Sequence, residues 1–141
     1  MRFKTCINYL LTVSQHEVFQ LLGNKLSQFG ITPGQYGVLN YLWEMHEASP
    51  KELARELSLE NSTISGVLDR MQKKGLIDRL LDPSDRRSIR VVLTPEGAAL
   101  EGDVLKAVDE VNRQVLSRFD ADTAETLLRC LQLISGVQPE A

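Results

Sequence analysis

The chain has 141 residues, 43% of them hydrophobic and 25% charged, with a formal net charge of −3. That length and balance are those of one soluble globular domain able to bury a core. No apolar run approaches the ~18 to 20 residues that cross a bilayer, and the two cysteines, Cys6 and Cys130, belong to no C-x-x-C or Cys/His cluster, so a membrane span, a zinc site and a disulfide framework all lack support.

The opening Met1-Arg2-Phe3-Lys4 has the charge of a signal-peptide start, but Asn8, Thr12, Ser14, Gln15 and His16 interrupt the apolar stretch after it and no small-residue cleavage site appears. The expected location is cytoplasmic, and free buried thiols are expected of both cysteines. From about Cys6 to Phe29, Ile7, Leu10, Leu11, Val18, Phe19, Leu22 and Leu26 recur at three- and four-residue steps, which predicts a long first helix stopped by Gly30. Thr32-Pro33-Gly34-Gln35 starts a second, with Thr32 as N-cap and Pro33 at the first helical position. That helix carries Tyr36, Val38, Leu39, Leu42 and Trp43 and loses its period near His46.

Ser49-Pro50-Lys51-Glu52 has the form of a capping box and opens a short helix with Leu53, Ala54 and Leu57 on its apolar face. Leu59-Glu60-Asn61 is a turn, and Asn61 is the expected N-cap of a helix over 62–74 ended by Gly75. Ile64, Val67, Leu68 and Met71 fall on one side of that helix; Ser62, Thr63, Ser65, Gly66, Asp69 and Arg70 fall on the others. Residues 76–81 and 89–93 read as two short strands joined by the loop 82–88. Thr94-Pro95-Glu96-Gly97 opens a long helix, Asp120 to Asp122 breaks and recaps it, and a last helix carries Leu127, Leu128, Leu131 and Ile134 before Gly136.

A helix pair followed by a hairpin with Asp85-Arg86-Arg87 at its tip has the pattern of a winged helix, whose usual partner is double-stranded DNA. The charge distribution agrees: residues 61–90 hold seven Lys/Arg and four acids although the whole chain is acidic, a basic stripe on an acidic body. The fold class expected is mainly α with a small β-hairpin wing, a winged helix-turn-helix with N- and C-terminal dimerisation helices. One domain fills 1–141, with the DNA-binding lobe at 32–94 and dimerisation helices at 1–31 and 95–141. The long amphipathic helices at both ends have apolar faces to spare, which suggests a homodimer; the competing reading is that they fold back onto one monomeric core.

The polar, small-sided turn Asn61, Ser62, Thr63, Ser65 can enter a major groove and meet base edges or phosphates. Arg87 is expected to enter the minor groove and Arg86 to meet the backbone, with Asp85 holding the wing by accepting hydrogen bonds from Arg87 or loop amides. Arg70, Lys73, Lys74 and Arg79 are phosphate candidates, which position without reading sequence. Lys51 and Arg55 can reach the backbone or merely be solvated.

Ile31-Thr32-Pro33-Gly34-Gln35-Tyr36, Glu52-Leu53-Ala54, Thr63 with Ser65, Lys74-Gly75-Leu76-Ile77, Asp85-Arg86-Arg87 and Val92-Leu93-Thr94-Pro95-Glu96-Gly97, taken in that order, resemble the MarR (multiple antibiotic resistance regulator) family from about Leu10 to the last helix. The resemblance implies a triangular homodimeric regulator whose terminal helices interlock at the two-fold axis and which usually represses by occupying a palindrome. The family's Asp-x-Arg wing motif falls on Asp85 and Arg87. The resemblance also implies release by a small phenolic or aromatic carboxylate effector bound between the dimer helices and the lobe, for which His16, Phe19, Tyr36, Trp43 and Met71 are candidates. The alternative is a redox-sensing repressor: a peroxide-sensing branch uses an N-terminal cysteine with nearby tyrosines, and Cys6 with Tyr9 hints at it, although Cys6 falls about two residues early against the Thr32-to-Tyr36 anchor.

An enzyme has almost no support, since the chain has two histidines, no G-x-G-x-x-G, no H-E-x-x-H and no apolar carboxylate pair; no cofactor or metal is implied. A winged helix used only for protein contact would present an apolar face where this one is polar and basic.

Overall fold

A short 3-10 turn (Arg2–Thr5) leads into α1 (Ile7–Leu26), and the chain continues through α2 (Pro33–Met45), β1 (Glu47–Ala48), α3 (Pro50–Glu56), α4 (Asn61–Lys73), β2 (Ile77–Asp82), β3 (Asp85–Leu93), α5 (Pro95–Ala99), α6 (Glu101–Leu116) and α7 (Ala121–Ser135). The structure is a computed structural model; it describes residues 2–139, and of Arg86 and Arg87 the backbone alone.

Local chemistry sets most of the boundaries. A 3-10 turn (Ser27–Phe29) finishes α1, and Gly30 closes it at φ +69°, a left-handed conformation that glycine adopts without a Cβ clash. Thr32 and Gln35 then form a complete capping box: Thr32 Oγ1 accepts from the Gln35 amide and Gln35 Oε1 from the Thr32 amide, both at 3.2 Å. At Ser49 only half of the expected box is present, with Ser49 Oγ accepting from the Glu52 amide at 3.1 Å. The expected cap of α4 is displaced by one residue: Glu60 occupies the N-cap, its side chain makes no cap hydrogen bond, and Asn61 already lies in the first helical turn.

The sheet has the order β1-β3-β2, all antiparallel. β2 pairs with β3 from Ile77 opposite Leu93 to Leu81 opposite Ile89, with a register irregularity between Leu81 and Asp82. The strands therefore run almost to the tip, further than the loop expected over 82–88. Only Pro83 and Ser84 lie between them, and Asp82 Oδ1 accepts from both the amide (2.9 Å) and the hydroxyl (2.7 Å) of Ser84. Those two donors, the hydroxyl first, hold the Asp82 carboxyl below the usual carboxylate range.

The core lies where α2 meets α1, α4, α6 and β3. Leu26, Leu39, Leu42, Leu53, Ile64, Leu68, Met71, Ile77, Val91 and Val104 are fully buried in it. The terminal helices are different. α7 contains no buried residue, and α1 buries only Leu26. Ile7, Leu10 and Val13 on α1, and Leu128, Leu131 and Ile134 on α7, stand exposed. Both cysteines are exposed, against the expectation of buried thiols, because both sit on these uncovered ends. Among the described residues no helix is long and apolar enough to cross a membrane.

Candidate nucleic-acid interface

The side chains expected to read DNA are placed by α3, α4 and the β2–β3 ribbon. In α4 the apolar positions 64, 67, 68 and 71 point into the core, so the helical period turns Asn61, Ser62, Thr63, Ser65, Arg70 and Lys73 to solvent. The guanidinium of Arg70 folds back one turn over Gly66, close enough that a Cβ there would lie 3.5 Å from Nη1. The α4 start is therefore small and polar, with a cation lying beside it.

Several cations are engaged within the lobe. Arg79, on β2, donates from Nε to Gln72 Oε1 at 2.7 Å and pairs with Asp69 Oδ1 at 2.6 Å. Half-exposed ion pairs contribute little stability; the effect of this one is to fix the root of the wing against α4. Arg90 pairs with Glu47 Oε2 at 3.0 Å, tying β3 to β1. Lys74, expected at a phosphate, is exposed and donates from Nζ to the Gly30 carbonyl and to Gln35 Oε1. Of the five basic residues in the stripe whose side chains are described, three thus have protein partners, so the charge count overstates what faces a polyanion. Periodicity carried no sign of Asp69, Gln72 or Glu47 as partners, because these pairings arise only when strand and helix meet.

At the wing tip, Asp85 Oδ2 accepts from Ser88 Oγ at 3.1 Å, which fits a role in holding the turn. The side chains of Arg86 and Arg87 lie outside the described residues; their backbone continues β3 to the tip. Between α3, α4 and the wing is a cleft of about 360 Å³, with Ile64, Leu68 and Ile89 as apolar lining and Lys51, Ser65 and Arg79 as polar lining.

The residues expected at an effector have divergent environments. Met71 is fully buried, and Trp43 is buried with its indole N–H donating to the Gly97 carbonyl at 3.0 Å, so packing employs both. Tyr36 is half-buried, which pushes its phenol above its ordinary pKa. His16 and Phe19 are exposed on α1, with His16 Nε2 within hydrogen-bond distance of Gln20. Cys6 is the N-cap residue of α1, with no side-chain cap hydrogen bond.

Residues 31–89 match the family model described as MarR family. The Multiple antibiotic resistance protein MarR of Salmonella typhimurium is 34% identical over 116 residues, 82% of this chain and 81% of that protein. The chain belongs to the MarR family. Another relative of this MarR-family chain, the HTH-type transcriptional regulator YsmB of Bacillus subtilis, is 37% identical over 94 residues. The match spans 67% of the chain but 64% of YsmB, slightly under two thirds of its length. Among solved structures, a mutant MarR from E. coli complexed with operator DNA superposes with a TM-score of 0.83 at 29% identity, covering 91% of this chain and 92% of that one. CouR from Rhodococcus jostii bound to p-coumaroyl-CoA gives 0.81 at 26% identity, covering 99% and 98%. The mainly α winged-helix fold of the chain is that of MarR regulators.

Proposed function

We propose that this MarR-family chain is a sequence-specific transcriptional regulator, a repressor that binds a pseudo-palindromic operator as a homodimer and leaves it when a small aromatic or phenolic effector binds. The observation that carries the reading is α4 itself. It buries Ile64, Val67, Leu68 and Met71 and presents Asn61, Ser62, Thr63 and Ser65 beside a ribbon ending in Asp85-Arg86-Arg87. The α4 start would enter the major groove, while Arg87 would enter the minor groove and Arg86 would meet a phosphate. Arg70 and Lys73 would add phosphate contacts; Arg79, whose Nε and one terminal nitrogen are engaged, would contribute less. Two such lobes about one helical turn (~34 Å) apart would read successive major grooves. Support also comes from the operator complex of the E. coli relative.

The uncovered apolar faces of α1 and α7 support the homodimer. Effector release is supported by the ligand-bound CouR structure; the cleft beside α4 has a mixed polar and apolar wall, although His16, Phe19, Tyr36, Trp43 and Met71 do not line it. A regulator of this kind works in the cytoplasm.

The test is fluorescence anisotropy on labelled DNA from upstream of the chain's own gene, against a shuffled duplex, at two salt concentrations. Tight, sequence-preferring binding that weakens steeply with salt is expected. No binding to either duplex at low salt would overturn the reading in favour of a protein-contact module. In the same assay Arg87→Ala is expected to weaken binding about tenfold, the scale of one desolvated charge-assisted contact, with melting unchanged. Unchanged affinity of the folded variant would remove Arg87 from the interface.

A further inference from the structure

Lys74 is the last residue before Gly75 closes α4, and its ammonium joins the end of that helix to the elbow between α1 and α2, about forty residues away in sequence. It donates to the carbonyl of Gly30, the left-handed residue that ends α1, and to Gln35 Oε1 in the first turn of α2 at 3.0 Å. The Gln35 side chain is only 2% exposed, and its Oε1 also accepts the Thr32 amide, so both of its lone pairs are taken. The Thr32 bond and the burial of Gln35 hold this acceptor in place for Lys74. The carbonyl end of a helix carries partial negative charge, so an ammonium at Gly30 is favoured there on two counts.

We infer that Lys74 is a positioning residue: it latches the end of α4 to the α1–α2 elbow and so sets the separation of the two recognition helices in the dimer. The inference rests on the proposed DNA-binding dimer. Its leverage comes from geometry. A helix of 13 residues is about 20 Å long, so a tilt of ~5° about its latched end moves the opposite, base-facing end by roughly 2 Å. Such a shift is small within one half-site, but both recognition helices of a dimer must fit one duplex at the same time.

The experiment uses the full chain and a duplex that the wild-type protein selects from a randomised pool, together with versions lengthened or shortened by one and two base pairs between half-sites. Lys74→Met keeps the aliphatic stem and removes the ammonium. It is expected to bind the selected duplex roughly tenfold more weakly, to discriminate less between spacings, and to keep the wild-type salt slope. Lys73→Met, one residue earlier on α4, is expected to lower the salt slope by about one and keep the spacing preference. Lys74→Arg, which retains a charged donor, is expected to recover most of the spacing preference. If Lys74→Met does not fold, Lys74→Gln is measured in its place with the same expectation. A salt slope reduced by about one with spacing preference intact would show that Lys74 neutralises a phosphate and overturn the latch; so would unchanged affinity and spacing preference. If the wild-type protein selects no duplex, the DNA-binding reading fails and the latch with it; if only the Lys74 variants depart from expectation, the latch alone fails.

Discussion

Gly97→Ala is expected to destabilise the fold by about 3 kcal/mol or more, at the upper end of what overpacking costs. On helix propensity alone the change should help, since alanine exceeds glycine in a helix by about 1 kcal/mol. Packing reverses the sign. A Cβ at Gly97 would lie 2.1 Å from the Leu76 carbonyl oxygen and 3.1 Å from its carbon, both backbone atoms that no rotamer change can move. α5 would have to back away, and the junction holding it is densely bonded. Thr94 donates its amide to Leu76 O at 3.1 Å and its hydroxyl to Gly75 O at 2.6 Å, and Thr94 Oγ1 accepts from the Gly97 amide at 3.1 Å. Displacement would strain these bonds in a partly buried site. Gly102, on the exposed side of α6 with nothing near its missing Cβ, is the control, and Gly102→Ala is expected to stabilise by up to ~1 kcal/mol. Urea unfolding at one fixed protein concentration measures both, because a dimer's stability depends on concentration. Equal effects of the two substitutions would refute the close-approach argument.

Leu131→Asp is expected to convert the protein from dimer to monomer at micromolar concentration and to lower operator affinity by about 100-fold or more, since one lobe alone engages one half-site. α7 is a 15-residue helix that buries none of its residues, while Leu128, Leu131, Leu133 and Ile134 are between 41% and 77% exposed. A helix of that length is marginal in water without packing, so its apolar side needs a cover, and a carboxylate placed there would be desolvated at a cost of several kcal/mol. Light scattering reads the mass and far-ultraviolet dichroism reads the helicity of α7. A wild-type protein that is monomeric, or a Leu131→Asp variant that stays dimeric at the same concentration, would return the terminal helices to the role of monomer support.

Sequence reasoning placed most elements because their signals are local. The Thr32 cap, the helix-ending glycines at 30, 75 and 136, and the four inward positions of α4 need only near neighbours to be read. It missed β1, whose two residues carry no period and become a strand only because Val91 and Val92 lie opposite. It also missed the break between α5 and α6, where the backbone at Leu100 stays right-handed and the interruption leaves no breaker residue to read. The cationic set was the least legible part. Lys73 and Lys74 are identical, adjacent and both exposed, yet the ammonium of Lys74 bonds to Gly30 and Gln35, acceptors about forty residues away in the chain that local spacing cannot supply.

Trp43 is the only tryptophan in the chain. Its indole N–H reaches the Gly97 carbonyl, across the seam between the lobe and the C-terminal helices. The molecule therefore carries its own optical gauge of that seam. An effector that swings the lobe away from α5 would break the bond and admit water to the ring, and the emission would shift to the red without any label. One that releases DNA only by occupying the cleft beside α4 would leave the emission unchanged. Titrating fluorescence and operator release together would separate displacement by movement from displacement by competition.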